Sequence, residues 1–427
     1  MMQGTPLRHK WTIVALLFGF MLINFADKIA VGLAGVPIMH ELGLTPQQFG
    51  LVGSSFFLFF SISAIPVGYL ANRVPARWLI LVMAIIWSLV QFPMLGSVTL
   101  SLLIACRTVL GAGEGPAYPV ALHAAYKWFP NEKRTLPTSI IGQGAAVGVI
   151  VAVPVLDWII EHYSWHAAFL VLGLAGLVWA TLWALFGKEG PVLEASATQG
   201  ASGIVHVPYI PLIFNRTTLA TWLTGFGAFW GQALLLAWFT PYLIQGLKFS
   251  QSEAALITTL PWMASPAVSI GAALLSERLI KRGASTDVVR GVFAGVCVMV
   301  GGLAMIAVPF VPSAAFKITM IVIGFVFPAV IYVMGHAMIS EYAPVTQRGV
   351  MIGMSNAVAT SAGVVAPWLM GSVIQGAATA AGGYDRGYLI AGIVCSLAGL
   401  VGALFCRPQT ECQRLAGIGK ADLVAAY

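Results

Sequence analysis

Twelve apolar windows, divided by short polar breaks, run the length of this 427-residue chain and constrain its fold more than any other feature. A bilayer core is about 30 Å thick, and a helix crosses it with about 20 apolar residues. Windows of that size predict helices near 11–36, 47–71, 78–95, 98–126, 134–160, 164–187, 216–246, 251–276, 288–309, 313–341, 348–375 and 384–406. An ordinary soluble domain has roughly a quarter of its residues charged, whereas only 9% are charged here. The longest stretch between windows, 188–215, leaves no room for a folded soluble domain. The expectation is an all-α polytopic membrane protein with 12 transmembrane helices.

Short loops rich in lysine and arginine stay on the cytoplasmic side. With both termini inside, the inner loops and tails hold 17 of the 22 cations, and the outer loops hold Lys248, Lys317 and Arg386. One missed helix would invert the alternation downstream, so this bias supports both the segment count and the orientation. The predicted location is a plasma membrane, the inner one in a bacterium. The same bias accounts for the net charge of +7, directed at anionic lipid headgroups rather than at nucleic acid. The opening "MMQGTPLRHK" and its apolar run look like a signal peptide, but the run is too long and contains Asp27 and Lys28, so it reads as a retained first helix.

The five cysteines fall inside helices or, for Cys406 and Cys412, at the cytoplasmic end, which fits packing rather than a disulfide framework. Asn215-Arg216-Thr217 matches a glycosylation pattern on the expected cytoplasmic side and is discounted.

Two sequence echoes indicate duplication. "NRVPAR" at 72–77 aligns with "ERLIKR" at 277–282, and "FPNEKR" at 129–134 with "APVTQR" at 343–348, at offsets of 205 and 214. Together with the central loop they predict two six-helix bundles, 1–187 and 216–427, joined by a cytoplasmic linker, 188–215. Paired bundles of this kind can rock around a site near the bilayer midplane.

"GYLANRVPAR" after the second segment, "RTVLGAGEGPAYP" in the fourth and "WFPNEKR" after it resemble the major facilitator superfamily. More narrowly, the chain resembles the anion:cation symporter branch, which includes bacterial sugar-acid and phthalate permeases and vesicular organic-anion carriers. The architectural likeness spans the chain, and the motifs concentrate in its first half. The resemblance implies gating or structural roles for Gly68, Asn72, Arg73 and Arg77, and by the repeat for Glu277, Arg278 and Arg282. Asn72 stands where the superfamily usually has aspartate, so any lock there rests on neutral hydrogen bonding.

Charges at the bilayer centre are costly, by about 2.5–3.5 kcal/mol each on insertion scales, and are functional by default. Asp27, Lys28, Arg107 and Glu114 qualify. Asp27 and Arg107 each lie nine residues from the outer end of their segments, hence about 14 Å deep at 1.5 Å per residue. Arg107, Gly111 and Glu114 share one helix face, with Gly111 expected to leave space between the charges. Adjacent Asp27 and Lys28 point about 100° apart, so one can face the fourth segment while the other faces a cavity. Ionised, the four groups sum to zero, and with both acids protonated they sum to +2, which attracts an anion. Proton loading and anion binding then reinforce each other. The expected roles are Arg107 and Lys28 on a substrate carboxylate and Asp27 and Glu114 as proton sites, which the resemblance also implies. The resemblance would place arginine at position 28, and lysine lacks its bidentate fork. Two alternatives stand: structural ion pairs between the helices, or a first helix ending at Ala26.

Gln143, Ser355 and Asn356 could read substrate hydroxyls, or could bond between helices. His123 and His336 read as packing residues. Trp222, Phe226, Phe229 and Trp230 line one side of the seventh segment, with Trp238 and Phe239 further along, as core, lipid belt or pocket wall. Gly144 and Gly148 suit close helix packing. "GAGEGP" lacks the third glycine and the strand of a dinucleotide site, and no zinc, Cys-x-x-Cys or Walker pattern marks an enzyme. The predicted function is proton-coupled symport of an organic carboxylate, such as a sugar acid or aromatic carboxylate, by a monomer that needs no cofactor beyond the proton. Uniport of the anion and proton-coupled antiport of a drug or anion are the alternatives, the drug form disfavoured by the two buried cations.

Overall fold

The computed structural model describes residues 7–71, 73–129, 133–190, 207–344 and 347–415. Its longer helices are Leu7–Leu33 (α1), Pro46–Leu70 (α2), Ala76–Leu89 (α3), Leu100–Glu114 (α4), Ala117–Tyr126 (α5), Thr135–His162 (α6), Trp165–Phe186 (α7) and Arg216–Ala237 (α8). They continue with Gln251–Lys281 (α9), Phe293–Ala307 (α10), Ala314–Val326 (α11), Val330–Tyr342 (α12), Arg348–Thr360 (α13), Ala362–Gln375 (α14) and Ala380–Phe405 (α15). There is no strand among the described residues.

Polar residues at the breaks start the helices. Thr45 and Gln48 form a reciprocal capping box across Pro46, with Thr45 Oγ1 accepting from Gln48 N at 3.3 Å and Gln48 Oε1 from Thr45 N at 2.9 Å. Thr99, Ser164 and Thr379 cap α4, α7 and α15 more simply, each side-chain oxygen accepting one N–H of the first turn. Large apolar side chains such as Ile62, Ile65, Val151 and Leu397 lie exposed. That is the reverse of a water-soluble surface and suits contact with lipid.

Eleven helices among the described residues are long and apolar enough to cross a membrane. The window at 98–126 is interrupted, because α4 ends at Glu114 and α5 begins after Pro116. Proline has no N–H for the bond to residue i−4 and its ring crowds that turn. The 313–341 window divides similarly around Pro328, into α11 and α12. Hydropathy registers the apolar length of such segments but not the missing donor within them.

The chain packs as two compact units, Met1–Ala201 with Leu236–Trp262, and Ser202–Leu235 with Met263–Tyr427. In the first unit α1 packs along α6 and α7, and α2 along α4. Gly148 lets α6 approach α1, since a Cβ there would lie 2.4 Å from the Leu22 carbonyl oxygen. Glu189, just past α7, accepts from the N–H groups of Ala76 and Arg77 at 3.3 and 3.2 Å and pairs with Lys127. It thereby places a carboxylate on the N-terminus of α3.

In the second unit α10 lies along α15 and α11. Val207, ahead of α8, is held by Gln347 through both main-chain groups, N to Oε1 at 3.1 Å and O from Nε2 at 2.7 Å. Leu212, Trp222, Ile339, Tyr342 and Leu415 close an apolar cluster around this contact. All five cysteines are free.

Candidate functional site

Four ionisable side chains meet inside the first unit. Asp27 and Glu114 are each 1% exposed, Lys28 6% and Arg107 5%. The α4 turns that carry Arg107 and Glu114 are placed by the packing of α4 on α2. A Cβ on Gly111 would lie 2.0 Å from the Phe56 carbonyl oxygen, so glycine permits the two backbones to touch. Gly111 therefore faces α2, which corrects the expectation that it leaves space between Arg107 and Glu114.

The Lys28 ammonium lies 3.2 Å from Glu114 Oε2 and donates a hydrogen bond to Asn24 Oδ1, one turn back along α1. It also sits 4.4 Å from the Phe25 ring centroid and 4.9 Å from that of Phe60. A helical side chain leans toward the helix N-terminus, which brings Lys28 over Asn24.

The Arg107 guanidinium stacks on Phe56, 4.5 Å from the ring centroid, and its Nε and Nη1 have no hydrogen-bond partner among the described residues. Gln91, buried just past α3, reaches toward Asp27. Neither its Nε2 nor Asp27 Oδ1 completes a well-aligned bond. Lys28, Val31, Gly53, Phe56, Phe57, Arg107, Leu236 and Ala237 border a gap of about 10 Å3, the size of a single water. Apart from the two cations its lining is apolar, so a charge placed there is weakly screened.

Gln143 lies half-buried on α6 in the same unit. Ser355 and Asn356 lie half-buried on α13 in the other. Gly68, near the end of α2, borders open space. Arg73 is exposed with its guanidinium 4.2 Å from the Tyr69 ring, and Asn72 lies outside the described residues. Arg77 donates to the Ala184 carbonyl at 2.9 Å and its own carbonyl accepts from Trp183 Nε1 at 2.9 Å, tying α3 to α7. Glu277, Arg278 and Arg282 are exposed at the end of α9. Of the ring series, Trp222, Phe229, Trp230, Trp238 and Phe239 are buried and Phe226 half-buried, with Trp238 packed on Phe49 in the first unit. Asn24 and Gln91 have no assigned role in the sequence reading. Their signal is a polar residue at i−4 from Lys28 and a lone amide closing an apolar helix.

A bundle of membrane-length helices that encloses four buried charges is the frame of a membrane transporter. A family model described as Major Facilitator Superfamily matches residues 16–367, and the chain belongs to that family. It is 29% identical over 430 residues to a probable sulfoacetate transporter of Cupriavidus necator, covering 96% of each chain. Against a probable galactarate/D-glucarate transporter of Bacillus subtilis it is 25% identical over 401 residues, covering 87% of each. Among solved structures, a bacterial homolog of the human lysosomal transporter Spinster, inward-facing and occupied, superposes with a TM-score of 0.77 at 17% identity over 96% of this chain and 99% of that one. The fold is therefore the twelve-helix, two-bundle fold of the superfamily.

Proposed function

We propose that the protein is a secondary transporter of a small organic carboxylate, coupled to protons in symport and working by alternating access in a plasma membrane, with both termini cytoplasmic. The observation that carries this reading is the unequal pairing of the two buried cations. Lys28 is engaged by Glu114, while Arg107 has two nitrogens without a hydrogen-bond partner among the described residues. A buried guanidinium in apolar surroundings is a strong site for a carboxylate.

The pairing also gives a route for coupling. An anion arriving at Arg107 meets Lys28 already committed to Glu114. A proton on Glu114 removes the negative partner and leaves the ammonium free to turn to the anion. A proton on Asp27 removes the other carboxylate of the group, and the set passes from neutral to +2. Anion and protons then stabilise each other's binding, which is linkage in the thermodynamic sense. Gln143, Ser355 and Asn356 are proposed to contact the rest of the substrate. The names of the relatives, transporters of sulfoacetate and of galactarate or D-glucarate, support the anionic substrate class.

The test is uptake into proteoliposomes under an imposed inward proton gradient, with Asp27→Asn and Glu114→Gln beside the unmodified protein. Each variant should lose acid-stimulated accumulation while retaining exchange of labelled for unlabelled substrate. Accumulation by both variants at the unmodified level would remove the proton roles and leave uniport.

A further inference from the structure

A carboxylate presents two oxygens, and a lysine ammonium meets them as a single point, without the planar pair of donors that arginine offers. The surroundings of Lys28 supply a second donor. Asn24 is 1% exposed, and its Oδ1 accepts from Lys28 Nζ. An ammonium can only donate, so this bond fixes which end of the amide faces it and turns Nδ2 away. That Nδ2 is buried and has no hydrogen-bond partner among the described residues. Buried amide donors are almost always paired, and an orphan beside a buried cation indicates an acceptor still to arrive.

We infer that Asn24 and Lys28 act together as a two-donor fork, Nδ2 on one oxygen and Nζ on the other, for a carboxylate group of the transported anion. The amide stands one helical turn from Lys28 on the same face of α1, so the two donors are carried by one rigid element. The Phe25 and Phe60 rings at 4.4 and 4.9 Å flank the ammonium and limit where it can swing. While Glu114 is ionised it holds the ammonium, and once Glu114 is protonated Asn24 remains as the hydrogen-bonded anchor. The fork is therefore complete only in the proton-loaded protein. This rests on the reading of the site as a carboxylate site.

The experiment is initial-rate uptake at low pH in proteoliposomes, using whichever of D-glucarate, D-galactonate, benzoate and phthalate the unmodified protein transports best. Asn24→Asp keeps the size and the acceptor for Lys28 but removes the N–H donor. It should raise KM by about tenfold or more with a much smaller change in maximal rate. Asn24→Ala should do the same, and adding Lys28→Arg to Asn24→Ala should bring KM back to within about threefold of the unmodified value, because one guanidinium replaces both donors. A side chain needed only for packing would not be rescued by a larger residue four positions away. An unchanged KM in Asn24→Asp, or no rescue by Lys28→Arg, overturns the fork and leaves the carboxylate reading standing. Absence of uptake of all four acids by the unmodified protein overturns the carboxylate reading, and the fork with it.

Discussion

Lys28 and Glu114 illustrate how far residue types alone can be read. Their shared neighbourhood follows from helical spacing. Their contact at 3.2 Å depends on which way a flexible lysine leans, and that is decided by Asn24 and two phenylalanine rings. Removing one partner of a buried ion pair strands the other charge, at a cost of about 3–5 kcal/mol. Glu114→Ala and Lys28→Ala should therefore each lower the melting temperature in detergent substantially. The double variant should melt closer to the unmodified protein than either single one, a non-additivity expected of groups in contact. Additive losses would place the two side chains apart. Arg107 sits buried among the carboxylates of Asp27 and Glu114 and keeps two nitrogens without a hydrogen-bond partner among the described residues, so Arg107→Ala should abolish uptake and also lower the melting temperature, measured on the same samples.

Helix-scale features divide along a similar line. The extent of each apolar window follows from the bilayer-length pattern, and the close seam of Gly144 and Gly148 against α1 was legible as spacing. The break at Pro116 and the contact of Gly111 with the Phe56 carbonyl were not, since both depend on which backbone lies opposite. Because that neighbour is backbone, Gly111→Val should separate α4 from α2. Overpacking of this kind costs about 1–3 kcal/mol or more, to be read as a lower melting temperature and a loss of uptake together.

At the start of α3, burial pushes the Glu189 carboxyl up. The hydrogen bond from Lys127, that from the Arg77 N–H, the Lys127 charge and the Ala76 N–H outweigh it, so the group titrates below the usual carboxylate range. A depressed carboxyl stabilises the folded state above the unfolded value near 4.3 and loses that contribution as pH falls through its folded value. Glu189→Gln should thus melt earlier at pH 7, by no more than about 1 kcal/mol for a partly exposed pair, and the difference should fade in acid. A gap that widened below pH 4 would contradict this assignment.

Across the whole molecule, the twelve windows and the repeat echoes lead to the same two-bundle architecture, because the windows reflect the bilayer and the echoes a duplication, neither of them a detail of packing. Substrate identity is not legible in the same way. It depends on how donor groups are arranged in three dimensions, and spacing along the chain carries little of that. The most direct measurement is proton movement driven by substrate alone. Proteoliposomes in weakly buffered medium, with no imposed gradient, are given a transported carboxylate while external pH is recorded. Symport requires the medium to turn alkaline as the anion enters, and Asp27→Asn and Glu114→Gln should abolish that signal. Entry of the anion with no change in external pH would contradict proton-coupled symport.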